Sequence, residues 1–163
     1  MSYFENTGLQ ENAYITRDGY FMQAALGEAQ KALDAGEVPV GAVLVHGGKI
    51  ISRGCNSPIA SCDPTAHAEI LALRAGGQAL GNYRLVDTEL YVTLEPCIMC
   101  MGAIAHARVK RLIFGAPDPR AGAAVTVFEF ASEPSLNHSV EVKAGVLEDA
   151  CRGLLQDFFK NKR

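Results

Sequence analysis

Cys97 and Cys100 stand three residues apart, the spacing of one helix face, in the stretch Glu95-Pro96-Cys97-Ile98-Met99-Cys100. Two thiolates do not close a zinc site. Zinc takes four ligands, and a catalytic zinc takes three from the protein and keeps the fourth position for water. There is no second Cys-x-x-Cys, so an all-cysteine zinc ribbon is excluded. The natural third ligand is His67, in Asp63-Pro64-Thr65-Ala66-His67-Ala68-Glu69. Glu69, two residues on, is the natural acid/base for a bound water, and for that work it stays off the metal. The spacing predicts one zinc per chain on His67, Cys97 and Cys100, with Glu69 as the catalytic carboxylate.

Each half alone has a plainer reading. His-x-Glu is common near helix starts, and Cys-x-x-Cys serves as a redox pair or as half of a structural zinc site. A thioredoxin-like pair is disfavoured because no Trp stands beside it. Both halves together, with Pro96 directly before Cys97, are far more specific. Cys55, Cys62 and Cys151 read as core or near-surface thiols, and only Cys62 lies close enough to His67 to serve as a spare ligand.

These residues need elements to position them. Residues 1–16 are polar and unpatterned and read as a loose arm. A helix is predicted from Asp18 to about Ala35, with Gly36 ending it. Val40 to Val45 and Lys49 to Gly54 read as a hairpin turning at His46-Gly47-Gly48. Thr65 caps a helix running to about Arg74, closed by Gly76-Gly77, and a second short helix covers Gly77 to Asn82. His67 and Glu69 then share a first turn, whose partial positive charge favours anionic Glu69. Glu89 to Leu94 is a strand. Pro96 opens the next helix, which carries Cys97 and Cys100 in its first turn and ends near Ala107. Two strand-to-helix turns thus present the ligands, the place where open α/β sheets build their sites. Arg111 to Phe114 is a fourth strand, followed by a loop over Gly115 to Gly122. Val125 to Phe130 reads as a helical turn or packed segment, and Val140 to Ala144 as a fifth strand. Glu148 to Phe159 is a final amphipathic helix with Leu154, Leu155, Phe158 and Phe159 on its buried side. His46 and His106 read as structural.

Length allows one domain over residues 1–163 with a real core, and the 48% apolar and 20% charged content is ordinary globular usage. No apolar run approaches the ~18 residues of a membrane helix, and the start lacks the charged and apolar regions of a signal peptide. Five cysteines without an export signal point to a reducing cytoplasm rather than a disulfide framework. A net charge of −3 gives nucleic-acid binding no support by itself. Arg108, Lys110, Arg111 and Arg120 cluster after the cysteine pair, and Lys160, Lys162 and Arg163 end the chain. On composition alone both clusters are solvated faces.

His-x-Glu followed by Pro-Cys-x-x-Cys is a recorded signature of the zinc nucleobase deaminases. The chain resembles the bacterial tRNA-specific adenosine deaminases of the TadA type, within the cytidine-deaminase-like superfamily. The segments that carry the resemblance are Glu37-Val38-Pro39-Val40-Gly41-Ala42-Val43, Asp63 to Ile70, Asn82-Tyr83-Arg84-Leu85 and Thr93 to Cys100. Asn137-His138 and Asp157-Phe158-Phe159 extend it, so that it covers roughly Tyr20 to Arg163. It implies a three-layer α/β/α fold with a five-stranded mixed sheet, and a homodimer. It implies a tRNA anticodon stem-loop as substrate, deaminated hydrolytically from adenosine to inosine at the wobble position. The substrate-binding residues it implies are Asn56, against a flipped base, with Val38, Pro58 and Asp118. The loop from Ala116 to Gly122 and the end of the last helix would face the RNA. One departure is Val125, where the family commonly has Gly after Gly-Ala-Ala; Pro117 and Pro119 also dilute the basic character of the loop.

Asp118 has two readings: an acceptor for a ribose 2′-OH, or a loop cap between two prolines. Three other functions share part of the pattern. A deaminase of a free base or nucleoside, of guanine or cytosine type, shares every ligand. A non-catalytic zinc-stabilised RNA-binding module needs the ligands but not Glu69. A redox-active α/β domain needs only the cysteine pair.

Overall fold

The sheet is built outward from a hairpin. In the computed structural model, which describes residues 16–162, β1 (Gly41–His46) and β2 (Lys49–Cys55) pair antiparallel. Gly47 and Gly48 both take positive φ, 56° and 76°, as a two-residue turn matched to strand twist requires. His46 pairs with Lys49 and so ends the strand rather than forming the turn. β3 (Thr88–Leu94) lies antiparallel to β1 on its other side, and β4 (Arg111–Ala116) and β5 (Glu141–Ala144) continue parallel to β3. The order β2-β1-β3-β4-β5 is the expected five-stranded mixed sheet.

Helices cover both faces. α1 (Arg17–Asp34) begins where the Thr16 hydroxyl accepts the Gly19 N–H at 3.0 Å. Its Phe21, Met22 and Ala25 recur at helical spacing and pack with Val43, Val45, Tyr91 and Ile113 on one face. Cys151 of α5 (Glu148–Asn161) joins them. The opposite face carries α3 (Ala68–Leu80) and α4 (Ile98–His106), with Leu73, Met101 and Ile104 against Leu44, Leu90 and Phe114. A one-turn helix α2 (Pro58–Ser61) and a 3₁₀ turn at Phe130–Ser132 complete the described elements. The reading of residues 1–16 as a loose arm falls, but for Thr16, outside the described residues, as does Arg163.

Three expectations are corrected. α3 does not stop at Gly76-Gly77 but runs to Leu80 and ends at Gly81, which has φ 63°; no separate helix over 77–82 exists. A methyl at Gly76 would overlap Leu44 Cδ2, so that glycine serves close helix–sheet approach, not termination. The cap of α3 is His67, not Thr65: the Thr65 N–H and hydroxyl donate to Asp63 Oδ1 at 2.8 and 2.7 Å, which holds Thr65 in a turn one step before the helix. Val125, Val127 and Phe128 are exposed rather than packed, and only Phe130 and Ala131 reach the core.

At the end of the sheet away from the cysteine pair, Asp18 ties α1 to three strands. It accepts from Tyr91 Oη at 2.7 Å, Lys143 Nζ at 2.6 Å and Arg111 at 3.3 Å. Glu89 adds bonds from Arg17 and Arg111. Burial alone would raise the Asp18 carboxyl, but the bonds from Lys143, Tyr91 and Arg111 outweigh it and hold it at about 2. Asp18→Ala strips partners from a buried tyrosine hydroxyl and two cations, and is expected to cost about 2–3 kcal/mol in urea unfolding at pH 7. Because the folded value lies below the unfolded ~3.9, this stability is present above pH ~4 and disappears as pH falls through the folded value. The gap between wild type and variant should therefore close in acid.

Candidate active site

The three predicted ligands meet across two helix starts. His67 is the N-cap of α3 and Cys97 the N-cap of α4, and Cys100 lies one turn inside α4. The His67 side chain makes no capping bond to its own helix and turns toward Cys97 and Cys100 instead. Pro96 turns the chain from β3 into α4, and Met101 N–H closes the first turn on the Cys97 carbonyl at 2.9 Å.

His67 Nδ1 stands 3.6 Å from Cys97 Sγ and 3.6 Å from Cys100 Sγ, and the three donor atoms lie within 4.8 Å of one another. Zinc bonds of ~2.3 Å to sulfur and ~2.0 Å to nitrogen, at tetrahedral angles, give an N···S edge of ~3.6 Å. The donor set therefore fits zinc, with one position left over. Hydrogen bonds accepted from Cys100 and then from His67 pull the Cys97 thiol down to about 4, and Cys100 is pushed up by its bond to Cys97 and by burial. A divalent cation bound there would deprotonate both thiols. Cys62 is exposed on α2's far end and outside the donor set, so it is no ligand.

Glu69 is 4% exposed, in the first turn of α3 and outside the ligand cluster. Burial is the main influence on its carboxyl, raising it to about 7 before any bound cation is counted. Such a group passes protons both ways near neutrality.

A cavity of about 1170 Å³ opens over these residues. Val38, Asn56, Pro58 and Asp118 all line it, so the implied substrate contacts converge on the ligands. Asn56 Oδ1 accepts the Ala68 N–H at 2.8 Å. That bond fixes the amide's orientation, because a backbone N–H only donates. Its NH₂ is left to donate to a substrate acceptor, and Oδ1 keeps one lone pair. Glu37, 2% exposed, accepts the Ala60 N–H at 2.9 Å and holds the turn that carries Pro58. Asp118 Oδ1 accepts from Arg120 N at 2.9 Å and Ala121 N at 3.2 Å, which is the loop-cap geometry; Oδ2 is the oxygen left for a ligand.

The cations divide. Arg120, Lys160 and Lys162 line the cavity. Arg111 does not: it is committed to Asp18 and Glu89 at the opposite end of the sheet. Lys110 faces Asp87 at 3.9 Å. Arg152, absent from the predicted set, also lines the cavity, paired with Glu148 and Asp149 on its own helix. Phe159 was expected on the buried side of the last helix, yet it is 51% exposed and lines the cavity, while Phe158 is buried. Two adjacent phenylalanines on a helix point about 100° apart, so only one can face the core.

The zinc-binding region of the cytidine and deoxycytidylate deaminases matches residues 15–116, a span holding His67, Glu69, Cys97 and Cys100. The sandwich, the donor set and this match together define a zinc-binding deaminase. At finer grain the chain is 51% identical over 147 residues to a tRNA-specific adenosine deaminase of Haemophilus influenzae, covering 90% of this chain and 85% of that one. It is 46% identical over 149 residues to the one of Bacillus subtilis, covering 91% and 92%. Among solved structures, one from a study of A-to-I editing by tRNA:A34 deaminases at the wobble position of transfer RNA superposes with TM-score 0.81 at 46% identity, over 83% of this chain and 99% of that one. A guanine deaminase of Nitrosomonas europaea superposes with TM-score 0.71 at 26% identity, over 85% and 82%. The chain belongs to the tRNA-specific adenosine deaminase family.

Proposed function

We propose that this protein deaminates adenosine to inosine by hydrolysis at the wobble position of a tRNA anticodon. The observation that carries the proposal is the cavity itself. Its inner part holds buried Glu69 with half-buried His67 and Cys97, and its exposed part holds Arg120, Lys160, Lys162 and Phe159. A volume of about 1170 Å³ exceeds the ~300–1,000 Å³ usual for small-molecule sites and suits several nucleotides of a splayed loop. Adenine enters edge-on, with the Asn56 NH₂ groups toward a ring acceptor.

His67, Cys97 and Cys100 would hold one zinc per chain, which would lower the pKa of a water toward neutrality and so supply the nucleophile. Glu69 takes the proton of that water and delivers it to adenine N1 as oxygen adds at C6. Glu69 then passes the second proton to the C6 amino group, the C–N bond breaks, and ammonia leaves inosine. Asp118 Oδ2 is assigned to a ribose 2′-OH, and Val38 and Pro58 to the flanks of the base. We assign a second copy of this chain to the exposed Ile98, Val125, Val127 and Phe128, giving a homodimer. The cytoplasm is the assigned compartment, where tRNA is held and thiols stay reduced. No helix among the described residues is long and apolar enough to cross a membrane.

The rival with a specific observation behind it is a free-base deaminase, through the likeness to the guanine enzyme. The test is turnover of an anticodon stem-loop, a matched linear strand, adenine, guanine and cytosine across a salt series. Stem-loop activity should dominate, and binding should weaken by roughly 0.7–0.9 decades per decade of salt for each phosphate neutralised. Arg120, Lys160 and Lys162 on the cavity supply about two or three such contacts, so a slope near −2 is expected. Efficient turnover of a free base, flat in salt, without stem-loop activity would establish the rival.

A further inference from the structure

Glu95 is 2% exposed and directly precedes Pro96 and Cys97, yet the deamination described above gives it no proton to carry and the metal site does not include it. Its two oxygens are nevertheless saturated. Oε1 accepts from Val125 N at 2.9 Å and Thr126 N at 3.0 Å. Oε2 accepts from Asp118 N at 3.1 Å and from the Thr126 hydroxyl at 2.5 Å. A carboxylate offers about four lone-pair positions, and all four are filled from one loop. Glu95 therefore has no acceptor left for substrate or for water.

The rest of the loop is shaped around that carboxylate. Ala123 N donates to the Pro96 carbonyl at 2.9 Å, Gly122 N to the Asp118 carbonyl at 3.0 Å, and Val127 N to the Gly122 carbonyl at 2.9 Å. A methyl at Gly122 would overlap Glu95 Oε2 and the Asp118 carbonyl, so glycine is the residue that lets the loop close on Glu95. The loop so fastened supplies Pro117, Asp118, Arg120 and Ala121 to the cavity wall.

We propose that Glu95 is a positioning residue: its carboxylate fixes the Ala116–Thr126 wall of the cavity against the turn that carries Cys97. The RNA-facing surface and the reacting centre are thereby held in one register. The proposal rests on the RNA reading for its substrate, but its geometry is independent of it. A carboxylate is required because every partner in the bracket donates. In Glu95→Gln the amide NH₂ must replace one oxygen. It is tolerated at the Oε2 position, where the Thr126 hydroxyl can turn to accept, but there it faces the Asp118 N–H, donor against donor. Glutamine thus unfastens the cavity side of the loop while leaving the Val125 and Thr126 amides bonded.

The experiment compares wild type, Glu95→Gln and Gly122→Ala by zinc content, stem-loop kinetics and backbone amide exchange. The expected result in Glu95→Gln is faster exchange at the Asp118 amide, with Val125 and Thr126 still protected. KM for the stem-loop should rise about tenfold or more while kcat changes less than about threefold, the mark of lost positioning in the bound complex. Zinc should stay at the wild-type level. Gly122→Ala presses on the same contact from the other side without touching the charge, and should show the same KM-weighted loss; if Glu95→Gln does not fold, this variant decides. Unchanged KM in the folded variants, or loss of zinc with KM unchanged, would overturn the proposal and leave Glu95 as a prop for the metal turn. If wild type acts on free bases and not on the stem-loop, the RNA reading fails. Amide exchange at Asp118 then still decides whether Glu95 holds the wall.

Discussion

Glu69→Ala should retain metal and fold and lose ~10²–10⁴-fold in inosine formation. The upper end is expected because one carboxylate serves two proton transfers and nothing beside it can replace it. Glu69 is 4% exposed and lines the cavity, and water that enters the space left by alanine is a far poorer proton carrier near neutrality. It is also outside the three-atom donor set, so its removal leaves the metal in place. Glu69→Gln is the sharper control: it keeps volume and hydrogen bonding but carries no proton, and should be nearly as slow. The measurements are single-turnover inosine formation on a stem-loop and zinc by elemental analysis on the same samples. Loss of zinc in Glu69→Ala would make it a ligand and remove its role as base.

Cys97→Ser and Cys100→Ser should each strip the site of metal after dialysis and abolish turnover. Hydrogen-bond partners of metal ligands typically contribute ~10–100-fold to affinity, and a direct ligand contributes more. With only three protein donors, removing one leaves two, too few to hold zinc against dilution. The two variants should differ in stability. Cys97 is half-buried at a helix cap, whereas Cys100 is fully buried inside α4, so serine at 100 also puts a hydroxyl in a closed space. Elemental analysis and thermal melting with and without added zinc separate the two effects. Full zinc retention in both variants would overturn the ligand assignment.

The chemistry was legible in the sequence because it is local. Cys97 and Cys100 share one helix turn whatever the fold does, and His67 with Glu69 share another. The elements were legible for the same reason: apolar spacing along α1, β3 and α4 follows from the period of each. What the sequence could not give is which local rule yields to packing. Gly76 reads as a helix stop, and Leu44 beneath it makes it a contact. Arg111 reads as one of a basic cluster, and the pairing of β4 beside β3 delivers it to Glu89 and Asp18. Phe159 reads as core beside Phe158, and once Phe158 takes the core side of α5 the ~100° step between neighbours leaves Phe159 facing the cavity.

Glu95 marks the boundary between the two kinds of information. Its place before Pro-Cys is visible in the sequence as part of a motif, but its role is not. The donors that saturate it come from residues 118, 125 and 126, some 23 to 31 positions further on. Asn56 is the same case, since the bond to Ala68 that orients its amide joins two segments 12 residues apart. By itself the sequence pointed to a zinc-type donor set, Cys97 with Cys100 in one turn and His67 with Glu69 in another, because residue type and short spacing are local; the fold brought the three donor atoms together. Only the tertiary structure decided which cations and which aromatic ring reach the cavity, and what holds its wall. Those depend on which strands become neighbours, and that is settled by burial of the two sheet faces, a property of the whole chain.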